Sequence, residues 1–132
     1  MASEKIKLVQ GDTRPQLILS VTDQISKRPV DLSAAGTQVR LLFREVGAED
    51  LKATMNCYPI VGYLNPETRE VETQSPYNVP GRGGRVVMGW LPNALDTAGE
   101  FEGEVETTFP DGTVQTVYET VRFTVREQFR GR

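Results

Sequence analysis

The sequence predicts an all-β protein, an antiparallel sandwich of about seven or eight short strands. Three observations predict it. Apolar and polar residues alternate with period two through residues 17–21, 39–43 and 101–105, the spacing of half-buried strands. Clusters of Gly, Pro, Asn and Asp punctuate the chain at intervals of roughly 8–15 residues. No stretch carries the 3.6-residue period of an amphipathic helix.

In chain order, Ile6 and Leu8, with Val9, make a first strand that Gly11-Asp12 ends. Leu17, Leu19 and Val21 share one face of a second strand, with Ile18 on the other. Residues 24–27 form a polar turn, and Arg28-Pro29-Val30-Asp31-Leu32 is extended because the proline ring fixes φ and keeps the preceding residue out of the helical region. After a loop at residues 33–36, Val39, Leu41 and Phe43 alternate with Gln38, Arg40 and Arg44 in a third strand. Residues 47–51 read as a loop or one helical turn. Residues 53–58 and 60–63 read as short strands interrupted by Pro59, and Asn65-Pro66-Glu67-Thr68 as a turn. Pro76, Pro80, Gly81, Gly83 and Gly84 concentrate in residues 74–84, which predicts a long exposed loop. Arg85-Val86-Val87-Met88-Gly89-Trp90 then re-enters a sheet, with Trp90 as a core anchor.

Residues 100–126 read as one antiparallel hairpin, because Asp111-Gly112 favours a tight turn between two alternating segments. Glu100, Glu102, Glu104 and Glu106 fall on its outer face, opposite Phe101 and Val105. On the return, Val117, Val121, Phe123 and Val125 face inward, so the acids are expected to lie near Arg122 and Arg126.

The chain's 132 residues suit a single domain over 1–132, with short arms at 1–4 and 127–132 expected to be flexible. No apolar run approaches the roughly 20 residues of a membrane-spanning helix, and the N-terminus lacks the basic start and apolar core of a signal peptide. A net charge of −3 opposes direct nucleic-acid binding, which needs a positive field. Histidine is absent, which removes the commonest general base and the commonest transition-metal ligand; no Gly-x-Ser-x-Gly elbow occurs. Cys57, a lone cysteine, reads as a small buried hydrophobe. The expectation is a non-enzymatic protein without cofactor or metal.

Several constellations remain. Gly81-Arg82-Gly83-Gly84-Arg85 offers glycines and two arginines, but lacks the Lys-Ser/Thr and following helix of a phosphate-binding loop, so Arg82 and Arg85 are read as contacts for an acidic partner surface. Asp12, Asp23, Asp31, Asp96 and Asp111 sit at turns, where carboxylates cap backbone amides. The glutamate row reads as a solvated face or a strip for a basic partner. In the C-terminal segment Phe129 lies among Arg126, Arg130 and Arg132, an aromatic anchor in basic surroundings, and makes Phe129, Arg130 and Arg132 candidate partner contacts.

The order of Gly11-Asp12-Thr13, the strand at 17–21, Arg28-Pro29-Val30-Asp31-Leu32-Ser33, the strand at 37–44, Ala98-Gly99-Glu100-Phe101 and Phe109-Pro110-Asp111-Gly112-Thr113 resembles a family of small β-sandwich domains of tailed bacteriophages, known from the N-terminal domain of baseplate upper proteins. The resemblance implies an immunoglobulin-like virion domain, without that superfamily's Cys…Trp…Cys core, which attaches to other virion structural proteins and performs no chemistry. Residues 45–84 are longer than the family pattern, and no receptor- or fibre-binding region follows Arg132. The expectation is therefore a stand-alone virion component, in the capsid decoration, neck, tail or baseplate, assembled in the host cytoplasm in several symmetry-related copies. The alternative is a carbohydrate-binding module in which Trp90, Tyr63 and Tyr77 form an aromatic platform for host attachment.

Overall fold

The computed structural model describes residues 5–129, and among them the chain is all-β with no helix. Ten strands form: β1 (Ile6–Val9), β2 (Leu17–Ser20), β3 (Gln38–Glu45), β4 (Ala53–Pro59), β5 (Tyr63–Leu64), β6 (Val71–Glu72), β7 (Arg85–Met88), β8 (Gly99–Thr108), β9 (Val114–Thr116) and β10 (Val121–Arg126). Eight of them make one mixed sheet in the order β1-β10-β8-β3-β4-β7-β2, with β9 paired to β8 in line with β10. The sheet curls into a half-barrel. β5 and β6 form a separate two-stranded ribbon around the Asn65 turn, where Asn65 Oδ1 accepts the Glu67 amide at 2.9 Å.

One pairing corrects the antiparallel expectation. β1 runs parallel to β10, with Ile6 opposite Phe123 and Val9 opposite Arg126. The chain leaves β1 at Gly11 and crosses to β2 at the opposite edge of the sheet, so β1 has no hairpin partner and instead covers the free edge of β10. Leu8 thereby reaches the core at 5% exposure.

The strand pattern sets what is buried. In β3, Val39, Leu41 and Phe43 are buried, while Arg40, Leu42 and Arg44 lie half-buried on the outer face. β8 buries Phe101, Gly103, Val105 and Thr107 on the same inner side. A methyl group at Gly103 would stand 2.8 Å from Leu41 Cδ1 and 3.2 Å from Phe123 Cε2, so the bare backbone there lets two large neighbours meet. Around Phe43 the rings close ranks: Phe101 stacks at 5.0 Å, and Trp90 and Phe123 meet it edge-on at 5.3 and 5.4 Å. Such contacts add roughly 0.5–1.5 kcal/mol each beyond area burial. Trp90 is the core anchor the sequence predicts, and its indole N–H donates to the Pro15 carbonyl at 3.1 Å.

The hairpin also forms. Phe109 N–H donates to Thr113 O at 2.8 Å, and Asp111 accepts from the Thr113 amide and hydroxyl across Gly112, whose φ is 87°. It is not regular. Thr116 lies opposite Glu106 but Val121 lies opposite Gly103, so the four residues from Val117 to Thr120 face only Glu104 and Val105. This two-residue bulge preserves parity, which keeps Val117, Val121, Phe123 and Val125 on the core side.

Residues 74–84 differ from the expected exposed loop. Gln74 to Pro76 are exposed, but Gly81, Gly83 and Gly84 are buried. Their backbone continues the sheet's bonding: Leu32 N–H donates to Gly81 O at 2.9 Å, Val21 N–H to Gly84 O at 2.7 Å and Gly81 N–H to Ile60 O at 3.0 Å. The glycines serve close packing rather than flexibility. A methyl group at Gly84 would stand 2.5 Å from Val21 O, one at Gly81 2.8 Å from the Leu32 carbonyl carbon, and one at Gly83 would collide with Gly62 O.

Candidate functional site

The curl of the sheet leaves two lips that are not joined, β2 on one side and β1 with β9 on the other. Register decides which backbone groups face the gap. Phe109 N–H bonds Thr113 O and Val117 N–H bonds Val105 O, so residues 113, 115 and 117 turn their polar groups toward β8. Val114 and Thr116 therefore direct theirs outward. On the other lip Leu17, Leu19 and Val21 bond toward β7 and its continuation at Gly84, so Ile18, Ser20 and Thr22 present theirs outward. None of these outward groups has a backbone partner among the described residues.

Where the lips approach at the β9 end, they border an open groove of about 430 Å³ lined by residues 21–25, Lys27 and residues 115–119. Its walls are mostly apolar. Val21 and Val117 form the floor, and Ile25 and Tyr118 stand at the rims at 93% and 80% exposure. Asp23 organises one wall: its Oδ1 accepts the Ile25 amide at 2.8 Å and the Ser26 amide at 3.2 Å. These two backbone bonds, with smaller help from nearby Gln115 and the Lys27 charge, hold its carboxyl below the usual aspartate range. Glu119 and Lys27 complete the charged residues of the lining.

Neither a family model nor a curated protein matches this chain. Function must be argued from its own surfaces.

The arginines of the Gly81–Arg85 segment do not act together. Arg85 turns inward, donating Nη1 to Val61 O at 3.1 Å and crowding Gly62. Arg82 remains at the surface, with Asp31 Oδ2 3.9 Å from its Nε. Because Gly81 N–H donates to Ile60 O and Gly84 N–H to Gly81 O, both at 3.0 Å, these amides are not free to cradle an anion. Phe129 is 92% exposed, and the Arg126 guanidinium lies over its ring at 4.9 Å from the centroid. Arg130 and Arg132 lie outside the described residues.

The acidic row is largely neutralised by its own fold. Glu106 pairs with Arg40 at 2.9 Å, Glu102 with Arg44 at 2.8 Å and Arg122 at 3.8 Å, and Glu100 with Lys5 at 2.8 Å. Arg122 is where the sequence expects it, but Arg126 faces Phe129 instead, because β10 passes the end of β8 before Arg126 is reached. Two of these four cations, Arg40 and Arg44, come from β3, the strand on the other side of β8. That pairing is invisible to a reading of the hairpin alone. The Lys5 hydrogen bond holds Glu100 below the usual glutamate range.

Three of the turn aspartates cap as predicted: Asp23, Asp31 through Ser33, and Asp111 through Thr113. Asp96 instead pairs with Lys52 Nζ at 2.5 Å. Cys57 is 4% exposed in β4, and burial pushes its thiol up to about 11, the protonation state of an inert core residue. The aromatic platform does not assemble, since Trp90 is in the core while Tyr63 and Tyr77 stack on each other at 4.8 Å beside the β5–β6 ribbon. The groove was missed at the level of sequence. Ile25, in a segment that reads as a polar turn, and Tyr118, in the return half of the hairpin, were its only local signal.

Proposed function

We propose that this chain is a non-enzymatic structural component of a tailed-bacteriophage particle, built as an immunoglobulin-like sandwich and acting through protein–protein contacts. The observation that carries the interaction reading is the pair of unbonded sheet lips bordering an apolar groove. Backbone donors and acceptors without partners, next to exposed Ile25 and Tyr118, are what an added segment of another chain uses when it docks by strand pairing. The layering supports the finer architectural reading. β4 pairs with both β3 and β7, so the sheet consists of two leaves, β1-β10-β8-β3-β4 and β4-β7-β2, that share β4 and enclose the aromatic cluster. The assignment to a virion rests on the resemblance of the turn and strand order to baseplate-type domains.

Particles banded on a density gradient test the proposal. The chain should be present in them at a fixed copy number per particle and should resist removal by high salt. Its absence from washed particles would overturn the reading.

A further inference from the structure

We propose that the groove between β2 and β9 receives the Phe129 segment of a second copy, so that the chain assembles head to tail. This rests on the reading of the chain as an interaction module and names the partner of that site.

Donor and acceptor are both present in one chain, yet one chain cannot satisfy itself. Thr116 lies opposite Glu106 and Val125 opposite Gly99, which separates the groove from the end of β10 by seven positions of β8. At ~3.3 Å per residue that is roughly 23 Å. The four residues from Val125 to Phe129 span at most ~14 Å. They also leave in the wrong direction, since β10 runs away from β9 and its outer edge is covered by β1. Phe129 is thus held out at the far end of the molecule, 92% exposed under the Arg126 guanidinium.

The chemistry of the two surfaces matches. An aromatic side chain suits a cleft floored by Val21 and Val117 and flanked by Ile25 and Tyr118. The surrounding charges are complementary: residues 126–132 carry Arg126, Arg130 and Arg132 against Glu127, while the groove carries Asp23 and Glu119 against Lys27. Asp23 is kept ionised by the Ile25 and Ser26 amides, so its charge persists into acid conditions. Backbone pairing to the outward groups of Val114 and Thr116 supplies direction. Because donor and acceptor are different surfaces, the contact is heterologous and propagates into a ring or filament, the route to several equivalent copies.

The test is sedimentation of the full chain from the micromolar into the millimolar range, with two variants that leave the core untouched. Phe129→Ala removes the anchor. Thr116→Pro removes an outward amide on the free edge, a position where proline is tolerated in a sheet. The wild type should associate, and each variant alone should associate at least about tenfold more weakly, as loss of a buried aromatic anchor does. The two variants mixed should form a one-to-one heterodimer, since the mixture retains one intact tail and one intact groove. Raised salt should weaken association. A wild type that stays monomeric overturns the proposal and leaves the groove to another protein's segment; so does association that survives Phe129→Ala, or a mixture that remains monomeric. A monomeric chain that is still found in washed particles would sink this inference alone, whereas a self-associating chain absent from particles would sink the virion reading alone.

Discussion

A methyl group added at Gly83 would run into the carbonyl of Gly62 and stand 2.8 Å from the Cα of Tyr63, so the smallest side chain has no room there. Both obstacles are backbone, which cannot swing aside as a side-chain tip would. Gly83→Ala is expected to lower stability by about 3 kcal/mol, the upper range for overpacking. Gly112→Ala is the control: nothing lies within 4 Å of its added methyl, and only the positive φ of 87° opposes it. Its cost should be about 1–2 kcal/mol, and urea unfolding of the two variants separates crowding from conformation. Cys57 gives a second residue-level prediction. Its thiol ordinarily ionises near 9.0 but is pushed up to about 11 by burial, so the folded chain holds the proton more tightly than the unfolded one. The resulting stability is fully present below pH 9.0 and is lost as pH rises toward about 11. Cys57→Ala should flatten that part of the stability–pH curve relative to wild type, and a native thiol reagent assay should show no modification until the chain unfolds.

The strands show where ion pairs matter. Glu102 on β8 is 12% exposed and lies between Arg44 of β3 and Arg122 of β10, so one carboxylate ties three neighbouring strands. Glu100 and Lys5 are both about half exposed and join the chain before β1 to β8, with the Thr124 hydroxyl of β10 donating to the same carboxylate at 3.1 Å. Glu102→Ala leaves Arg44 without its partner and should cost about 1–2 kcal/mol, more than the ~0.2–1 kcal/mol of an exposed pair. Glu100→Ala should fall within that smaller range, and chemical denaturation of both variants in low and high salt checks the ranking. How far these elements could be read beforehand depends on the range of the interactions that define them. The β8–β10 hairpin was legible because its period, its Asp111-Gly112 turn and its inward Phe101, Phe123 and Val125 are all local. So were β2, β3 and most of β4. The parallel seat of β1 was not, because nothing in Ile6 to Val9 specifies a partner more than a hundred positions away. Residues 81–84 misled for a related reason. Glycine is required equally by a flexible loop and by a backbone pressed against Leu32, Val21 and Gly62, and composition does not separate the two. The groove lay beyond reach because its walls, residues 21–27 and 115–119, meet only through the curl of the whole sheet.

At the scale of the molecule, a half-barrel with two lips would spill its core unless something filled the gap. At the β1 end the filling is done by residues 10–16 and 91–98, which are tied to each other and to both lips. Gly11 N–H donates to Leu95 O at 2.7 Å, Gln10 N–H to Arg126 O at 2.9 Å, and Trp90 Nε1 to Pro15 O at 3.1 Å. Leu95 and Ala94 are buried there at 1% and 2% exposure, beside a core that both leaves share. At the β9 end no such segment intervenes among the described residues, and the gap persists as the groove. One core implies one unfolding unit, since neither leaf can keep its inner face dry without the other. Leu95→Ala removes the central plug and should lower stability by about 2–5 kcal/mol, the range for a buried leucine. Trp90 reports the outcome directly, because its ring meets Phe43 from β3 and Phe123 from β10 while its N–H is held by the β1–β2 crossing. Its fluorescence and the far-ultraviolet dichroism of the strands should therefore change together along the denaturant axis, in wild type and in Leu95→Ala alike. Two separated transitions would mean that the leaves on either side of β4 hold independent cores.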